Sequence, residues 1–309
     1  MPLRALSLKA RFGLATSLLI LVIVSVVAFN ATRPALTPTS DDLTGLKTEV
    51  PQEPVAFYST STIGRSVEGR PLLAHTFGTG STSLLFVGGV HGGYEWNTVW
   101  LAEQVIAELA QNPELIGENL SVTIIPVLNP DGLALVTSTG QSDSIKPAIV
   151  TGWRADGRGR FNANQVDLNR NFDCKWSPQA TWRAQSISAG PRPFSEPEAE
   201  ALRDFVLSNQ PVAAVFWHSV ANAVYGSECH DGVLPATLEI LNLYGRAANY
   251  QVIPAFDAYP VTGDVEGWLA SLGIPAITVE LETRDSAEWD RNWAGVKALL
   301  NHYHRLGTD

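Results

Sequence analysis

Several segments of the sequence place imidazole or carboxylate side chains directly at the ends of apolar runs. Residues 84–98, LLFVGGVHGGYEWNT, run from an apolar stretch through two glycines to His91 and Glu95. If a helix opens near Trp96, the imidazole of His91 and the carboxylate of Glu95 converge on one point, as ligands of Zn²⁺ do. Two ligands do not complete a site, and a capping interaction near a strand end explains this pair equally well.

A third candidate ligand lies far along the chain, at the end of the apolar run VAAVFWHSV, residues 212–220. A histidine that ends an apolar strand is more often a core residue than a ligand. His218 nevertheless completes a His₂Glu set with His91 and Glu95, and a catalytic zinc takes three protein ligands and keeps one position open. The sequence therefore predicts one zinc ion per chain, held by these three side chains.

Two carboxylates lie in another apolar run, IPAITVELE, residues 274–282. A carboxylate in a buried strand is costly unless it has a partner, and strand alternation puts Glu280 and Glu282 on the same face. One of them can be a structural partner, while the other can be the general base that a metal-assisted hydrolysis needs. We predict that Glu280 is this base and keep Glu282 as the alternative.

The elements that must position these residues alternate along the chain. Apolar, β-branched runs cover residues 83–90, 121–128, 213–218 and 276–281, and amphipathic stretches cover residues 95–109, 196–207, 234–248 and 287–303. This alternation predicts an α/β domain with a mixed, mostly parallel central sheet flanked by helices. Residues 137–193 carry little periodicity, so we expect long ordered loops there, of the kind that often carry function.

Taken together, these blocks resemble the carboxypeptidase A/B-like zinc metallocarboxypeptidase family, from about Phe57 to His304. The family motif H-x-x-E-W is similar to the segment from His91 to Trp96, with one extra residue in H-G-G-Y-E. PVLNPDG, residues 126–132, is similar to the family's loop after the second strand. The resemblance implies the family fold, one catalytic zinc and hydrolysis of C-terminal amino acids from peptides.

The block VDLNRNFD, residues 166–173, resembles the family's segment that binds the substrate carboxylate. This implies that Asn169 and Arg170 hold the substrate's C-terminus, since a planar guanidinium suits a carboxylate. The family also uses an upstream arginine to polarise the scissile carbonyl. Arg154 and Arg160 both compete for that role, and we favour Arg160 because FNAN runs on closely into VDLNRNF.

YPVTGDVEGW, residues 259–268, resembles the family's mobile tyrosine loop, which implies that Tyr259 covers the bound C-terminus. In the family, residues just past the glycine line the specificity pocket, and here they are Asp264 and Glu266. Acidic side chains there favour a terminal residue with a basic or amino-bearing side chain. Ser219, directly behind the third predicted zinc ligand, is also expected to contact substrate.

The N-terminal region predicts export. A basic stretch, Arg4–Arg11, precedes an uncharged apolar run, Phe12–Phe29, which is about as long as the roughly 17–25 residues that span a bilayer. We predict a signal anchor over residues 1–33, with a cleaved signal peptide as the alternative, then a linker over 34–54 and one catalytic domain over 55–309. The basic flank then stays cytoplasmic, so the domain lies in the cell envelope, or is secreted if the signal is cleaved.

The net charge of the chain limits its possible partners, and its two cysteines predict a disulfide. The formal net charge is −10, and the basic N-terminal segment makes the rest of the chain more acidic still, which argues against nucleic acid as a partner. Peptides or cell-wall peptides are the expected substrates. Only Cys174 and Cys229 occur, and in an oxidising compartment such a pair predicts a disulfide.

Two other functions stay open. A peptidoglycan peptide amidase or endopeptidase that cleaves next to a diamino acid would use the same zinc machinery, and it would suit an acidic pocket in the cell envelope. A catalytically inactive binding module without zinc is supported only by the extra residue between His91 and Glu95. The joint presence of Glu280, Arg170 and Tyr259 argues against it.

Overall fold

The computed structural model describes residues 57–137, 140, 142, 157–257 and 259–307. The predicted signal anchor, the predicted linker and Arg154 lie outside these residues, so the domain limits stay predictions. None of the helices in this part of the chain is both long enough and apolar enough to cross a membrane.

An eight-stranded sheet forms the centre of the fold, with the strand order β1-β2-β4-β3-β7-β10-β8-β9. The strands are β1 Tyr58–Arg65, β2 Pro71–Phe77, β3 Thr82–Val87, β4 Leu120–Ile125, β5 Gln179–Trp182, β6 Gln185–Ser188, β7 Ala213–Ser219, β8 Ala223–Gly226, β9 Gln251–Ile253 and β10 Ala276–Leu281. The four central strands, β4, β3, β7 and β10, pair in parallel. Strands β2 and β8 border them in antiparallel orientation, and β5 and β6 form a separate hairpin. The prediction of a mixed sheet is confirmed.

Helices cover both faces of this sheet. Within the described residues the α-helices are α1 Trp96–Gln111, α2 Pro130–Thr137, α3 Pro197–Asn209, α4 Pro235–Ala247, α5 Val265–Ser271 and α6 Trp289–Leu306, and the short 3₁₀ turns are Gly92–Glu95, Pro113–Leu115 and Leu168–Arg170. Because side chains alternate along a strand, β3 sends Leu84 and Phe86 into a core with α1, α4 and α6. The neighbouring Leu85 and Val87 enter a second core with α3 and α5.

The strands and helices that the sequence predicts are present, with shifted ends. The four predicted strands correspond to β3, β4, β7 and β10, and the four predicted helices to α1, α3, α4 and α6. The described residues of the region predicted as long loops contain the hairpin of β5 and β6 and one 3₁₀ turn.

The parallel strands deliver the candidate site residues to one edge of the sheet. His91 lies four residues after β3, while His218 and Glu280 are each the second-last residue of their strand, β7 and β10. The register of these two strands pairs Glu280 directly with His218. The carboxyl ends of parallel strands are where α/β folds place their ligands, so a site is expected at this edge.

The predicted disulfide is confirmed. Cys174 and Cys229 are bonded across a sequence separation of 55, and both are buried. Cys174 follows the turn Leu168–Arg170 and Cys229 follows β8. The bond therefore ties together two loops that border the candidate site.

Candidate metal centre and active site

Three side chains converge at the carboxyl edge of the sheet. Donor atoms of His91, Glu95 and His218 lie within 4.8 Å of one another, and all three residues are buried. Glu95 Oε1 lies 2.9 Å from His91 Nδ1, and Glu95 Oε2 lies 3.0 Å from His218 Nδ1. The two Nδ1 atoms face each other at 3.3 Å. Two imidazoles and one carboxylate that point at one spot are the donor set of a catalytic zinc site.

The outer nitrogens of both imidazoles also meet carboxylates. His91 Nε2 lies 3.1 Å from Asp167 Oδ1, and His218 Nε2 lies 3.4 Å from Glu266 Oε1. A carboxylate at Nε2 favours the tautomer that carries its proton there, which leaves the Nδ1 lone pair directed at the centre. Histidines that bind metals usually have such a partner. The residues present therefore fit a zinc ion.

The extra residue between His91 and Glu95 is absorbed by the 3₁₀ turn that starts at Gly92. This glycine has a φ of +45°, and a Cβ at its position would lie 2.7 Å from the carbonyl oxygen of Asn129 and 2.8 Å from that of Gly159. Only glycine fits this close approach in a left-handed conformation. The tight turn allows His91 and Glu95 to remain in contact despite the longer spacing.

Replacement of Gly92 by alanine is expected to destabilise the protein more than the same change at Gly69. Gly69 also has a positive φ, +81°, but a Cβ there would meet nothing within 4 Å. The control carries the left-handed strain alone, about 1–2 kcal/mol, whereas Gly92→Ala adds about 1–3 kcal/mol of overpacking. Urea unfolding of the zinc-free proteins measures both losses. Equal losses would show that the turn tolerates a side chain.

Asp167 links the metal centre to Arg160. Its Oδ2 accepts from Arg160 Nε at 3.0 Å and from Arg160 Nη2 at 2.7 Å, and its Oδ1 accepts from the backbone N–H of Asn169. Burial alone would raise the pKa of Asp167, but the charges of Arg160 and His91 hold it well below its usual range. The ionised carboxylate thus orients one zinc-ligand candidate and one arginine. Arg160 Nη1 lies 3.7 Å from Glu95 Oε1, which places its guanidinium beside the metal centre.

Glu280 and Glu282 differ sharply in their surroundings. Glu280 lines the cleft, and its Oε2 is buried without a hydrogen-bond partner among the described residues. Burial, with a further contribution from the negative charge of Glu95, raises the pKa of Glu280 to about 7. Glu282 is exposed and lies 3.3 Å from Arg291. The geometry therefore favours Glu280 as the base and leaves Glu282 outside the site.

The residues predicted to bind substrate line the same cleft as the metal centre. The cleft has a volume of about 870 Å³, and its lining includes Asn169, Arg170, Ser219, Tyr259, Asp264 and Glu266. Arg170 Nη1 donates to the backbone carbonyl of Asn169 at 2.6 Å, and the Asn169 side chain accepts from the N–H of Val265 at 2.9 Å. Tyr259 is 47% exposed and packs edge-on against Phe256. The structure brings these residues together, and their individual roles stay predictions.

The two acids of the predicted specificity pocket are not equivalent. Asp264 caps α5 by accepting from the N–H of Gly267 at 2.7 Å, and burial and the charge of Glu266 raise its pKa to about 6. Burial would also raise the pKa of Glu266, but the neighbouring imidazole of His218 lowers it. Glu266 also accepts from Thr278 Oγ1 at 3.0 Å. Both acids are therefore mostly ionised at neutral pH, and Glu266 keeps its negative charge to lower pH than Asp264 does.

The sequence patterns predict no role for three residues that line the cleft or contact the metal centre. Asp167 lies inside the VDLNRNFD block, and its position between two predicted functional segments is a signal that could have identified it. Thr278 precedes Glu280 by two residues and so shares its strand face. Arg284, which also lines the cleft, carries no such signal. The hydroxyl of Ser219 donates to Asn97 Oδ1, so a contact of Ser219 with substrate stays a prediction.

Residues 48–289 match the family of zinc carboxypeptidases, peptidase M14. The chain belongs to the zinc carboxypeptidase family. The family consists of zinc metallopeptidases, and the donor set of His91, Glu95 and His218 fits that chemistry. The relatives of this chain include carboxypeptidases, an endopeptidase and a murein peptide amidase.

Three curated relatives illustrate this range. Carboxypeptidase A2 of Rattus norvegicus is 27% identical over 279 residues, which cover 78% of this chain and 64% of the relative. Gamma-D-glutamyl-L-diamino acid endopeptidase 1 of Lysinibacillus sphaericus is 25% identical over 270 residues, covering 78% of this chain and 63% of the relative. Murein peptide amidase A of Escherichia coli K12 is 26% identical over 256 residues, which cover 79% of this chain and 90% of the relative. The chain thus spans less than two thirds of the length of the first two of these relatives.

A solved structure shows that the fold is shared. Carboxypeptidase A from Helicoverpa armigera superposes with a TM-score of 0.65 at 19% identity, covering 82% of this chain and 70% of that one. The zinc carboxypeptidase fold predicted from the sequence is therefore confirmed.

Proposed function

We propose that this zinc carboxypeptidase removes the C-terminal residue of a peptide when that residue carries an amino group on its side chain. The observation that carries the proposal is one cleft that joins the metal centre, the partly buried Glu280, the guanidinium of Arg170 and the charge of Glu266. A substrate needs a hydrolytic centre, a carboxylate anchor and a cation partner, and the cleft offers all three. An inactive binding module has no use for Glu280 in this position.

The side chains of the cleft have different roles in the reaction. A zinc ion bound by His91, Glu95 and His218 supplies a Lewis acid and lowers the pKa of water. Glu280 takes a proton from the attacking water and returns it to the leaving amine. Arg160, held in place by Asp167, donates to the carbonyl oxygen as negative charge develops on it.

The substrate's C-terminal carboxylate binds Arg170 and Asn169, and Tyr259 covers it from the exposed side of the cleft. A guanidinium and a carboxylate form strong, directional hydrogen bonds. The amino-bearing side chain of the same residue extends toward Glu266 and Thr278. Burial makes this pairing selective, because an apolar side chain would add no partner for the Glu266 charge and would displace water from it.

Replacement of Arg170 by glutamine is expected to lower kcat/KM for substrates with a free C-terminal carboxylate by roughly 10- to 100-fold, since hydrogen bonds to charged groups contribute about 1.5–3 kcal/mol. The same peptides with a C-terminal amide, assayed beside the free acids, separate this effect from any general loss. Arg203→Gln is the control, because Arg203 pairs with Glu200 and Asp204 on the surface of α3. An unchanged acid-to-amide ratio in Arg170→Gln would contradict the assignment.

A cell-wall substrate is favoured by the same acidic pocket. The names of two relatives refer to murein peptides and to L-diamino acids, and a diamino acid presents the amino group that Glu266 would recognise. The basic and apolar N-terminal sequence supports an export signal, which would bring the domain to the cell envelope. We therefore include peptidoglycan peptides that end in a diamino acid within the proposed substrate class.

The test is a substrate panel for the zinc-loaded protein from residue 34 onward. Peptides that end in Lys, Arg or Phe and muropeptides that end in a diamino acid are compared by kcat/KM. Preference for Lys, Arg or the diamino acid over Phe supports the proposal, and loss of this preference in Glu266→Gln assigns it to the pocket. Preference for Phe, or no release of terminal residues by a zinc-loaded protein, would refute it.

A further inference from the structure

The guanidinium of Arg160 meets its carboxylate partner at a single oxygen. Its Nε and Nη2 both donate to Asp167 Oδ2, at 3.0 and 2.7 Å. Two bonds to one acceptor fix the position of that edge but leave the guanidinium plane able to tilt, unlike a fork in which two donors meet two oxygens. The other edge, Nη1, lies 3.3 Å from His91 Nδ1 and 3.7 Å from Glu95 Oε1. Both are predicted ligand atoms of zinc, so neither is a dedicated partner of this edge.

The indole of Trp182 supplies a second surface for this guanidinium. The guanidinium carbon of Arg160 lies 4.8 Å from the centre of the Trp182 ring and 5.8 Å from the centre of the Tyr94 ring. A cation within about 6 Å of a ring centre is attracted to the face of the ring, most strongly for tryptophan and where water is excluded. Arg160 is only 4% exposed. The aromatic face therefore opposes the tilt that the single Asp167 oxygen permits.

The Trp182 ring is itself held on several sides. It packs edge-on against Tyr94 and Phe161, with ring centres 5.4 and 6.0 Å apart. Gly157 has a φ of +76°, and a Cβ at its position would lie 2.8 Å from the indole, so the ring rests directly against the backbone there. The carbonyl of Gly157 also accepts from the N–H of Arg160 at 3.0 Å. The turn that leads into Arg160 thus contacts the same ring as the Arg160 guanidinium does.

Trp182 belongs to the hairpin of β5 and β6, which is separate from the central sheet. The hairpin is bonded to the segment that carries Asp167, because the N–H of Asp167 donates to the carbonyl of Ser188 at 3.0 Å. Val166 also pairs with Ser188 as an isolated bridge. The carboxylate and the indole that hold Arg160 are therefore parts of one hydrogen-bonded unit.

We propose that Trp182 is a positioning residue, which aligns Arg160 with the carbonyl oxygen of the substrate as negative charge develops there. This inference rests on the proposed function, in which Arg160 stabilises that charge. Such stabilisation requires a donor that is oriented before the reaction, and a displacement of about 1 Å can cost roughly 100-fold in rate. Asp167 sets the position of the guanidinium and Trp182 sets its plane. Loss of the indole is therefore expected to lower kcat and to leave KM nearly unchanged.

The test is a double-mutant cycle on Trp182 and Arg160 in the zinc-loaded protein. Trp182→Leu is expected to lower kcat for a Lys-terminated peptide roughly 5- to 30-fold, and Trp182→Phe to lower it less because an aromatic face remains. In an Arg160→Gln background, Trp182→Leu is expected to have a further effect of less than about twofold, since it acts through the guanidinium. Trp289→Leu is the control. Trp289 stacks on Trp293 in α6, and its loss is expected to leave kcat unchanged.

A spectroscopic measurement tests the contact without turnover. The NMR signal of the Arg160 Nε–H, assigned by its absence from Arg160→Gln, is expected to be shifted by the indole ring current and to report a rigid side chain in the wild type. Trp182→Leu is expected to abolish the shift and to increase the motion of Nε, and Trp182→Phe to keep part of both features.

The outcomes separate this inference from the proposed function. Independent, multiplicative effects of the two substitutions on kcat, or an Arg160 Nε that stays equally rigid without the indole, would overturn the positioning role of Trp182 while peptide hydrolysis by the wild type stands. Absence of hydrolysis by the zinc-loaded wild type would instead refute the proposed function, and this role of Trp182 with it.

Discussion

Glu280→Gln is expected to reduce kcat/KM for release of a C-terminal residue by a factor of about 10²–10⁴, the usual contribution of a general acid–base group. Glutamine keeps the shape of the side chain but cannot take a proton from water. Zinc content is expected to stay at that of the wild type, since the ligand set is His91, Glu95 and His218. The measurement is steady-state hydrolysis of a Lys-terminated peptide, with metal analysis of the same samples.

Glu282→Gln is the matched control. Glu282 lies two residues further along the same chain segment, but it is exposed and pairs with Arg291. Its substitution removes the same charge at nearly the same sequence position, and kcat/KM is expected to change by less than about threefold, because Glu282 lies outside the cleft and its exposed ion pair affects mainly stability, by about 1 kcal/mol or less. Equal losses in both variants would mean that the acidic segment acts through its charge alone, and that Glu280 is not the base.

The pH dependence of kcat/KM follows from the protonation of Glu280. A general base works only when ionised, so kcat/KM is expected to fall as the pH drops through the pKa of Glu280. Burial and the charge of Glu95 raise this pKa to about 7 without a metal, and the positive charge of bound zinc favours the carboxylate and moves it lower. The acid limb of the wild-type profile is therefore expected below pH 7, and the same limb is expected to be absent from Glu280→Gln. An identical acid limb in the variant would assign it to another group.

The parts of the fold that the sequence predicts are those with the strongest periodicity. Strands β3, β7 and β10 are largely apolar runs, as expected of parallel strands buried on both faces, and each has a candidate site residue as its second-last residue or within four residues after its end. Strand β1 is exposed along most of its length, and β9 has only three residues. Such edge strands carry no apolar pattern because pairing with a neighbour, rather than burial, holds them in place.

In the candidate site, too, some features could be predicted from the sequence and others could not. His91, Glu95, His218 and Glu280 could be predicted because each polar side chain interrupts an apolar run, where it needs a partner or a function. The contacts that orient them could not be predicted. Asp167 reaches His91 across 76 residues of sequence, and no local pattern encodes a contact at that separation. Arg284 lies in an ordinary polar loop, and only the fold shows that its guanidinium faces the cleft.

The extra residue between His91 and Glu95 illustrates how a local exception can be resolved by backbone conformation. A strict spacing rule would treat the five-residue segment as a defect of the metal motif. The structure shows a 3₁₀ turn with a left-handed glycine at its start, and this turn keeps both side chains at one point. Glycine is the signal in the sequence, because it alone takes up this conformation at little cost.

His218→Ala is expected to abolish stoichiometric zinc binding and, with it, measurable peptide hydrolysis. The wild type is expected to hold about one zinc per chain, to lose activity to a chelator and to regain it when zinc is restored. His75→Ala is the control, since His75 lies on β2 and bonds to Tyr58 far from the predicted ligands in the strand order. Its zinc content and activity are expected to match those of the wild type.

A graded series makes the zinc assignment sharper. Asp167→Asn keeps all three ligands but weakens the partner of His91 Nε2, and such changes typically lower metal affinity 10- to 100-fold. His218→Ala removes a ligand and is expected to lower it further. Unfolding midpoints provide a readout that does not depend on turnover, because a ligand present at 100 times its Kd stabilises the folded state by about 2.7 kcal/mol. Zinc should therefore raise the midpoint most in the wild type, less in Asp167→Asn and least in His218→Ala. If neither the unfolding midpoint nor the metal content of the folded wild type responds to zinc, the metal centre and the peptidase activity proposed for it are refuted.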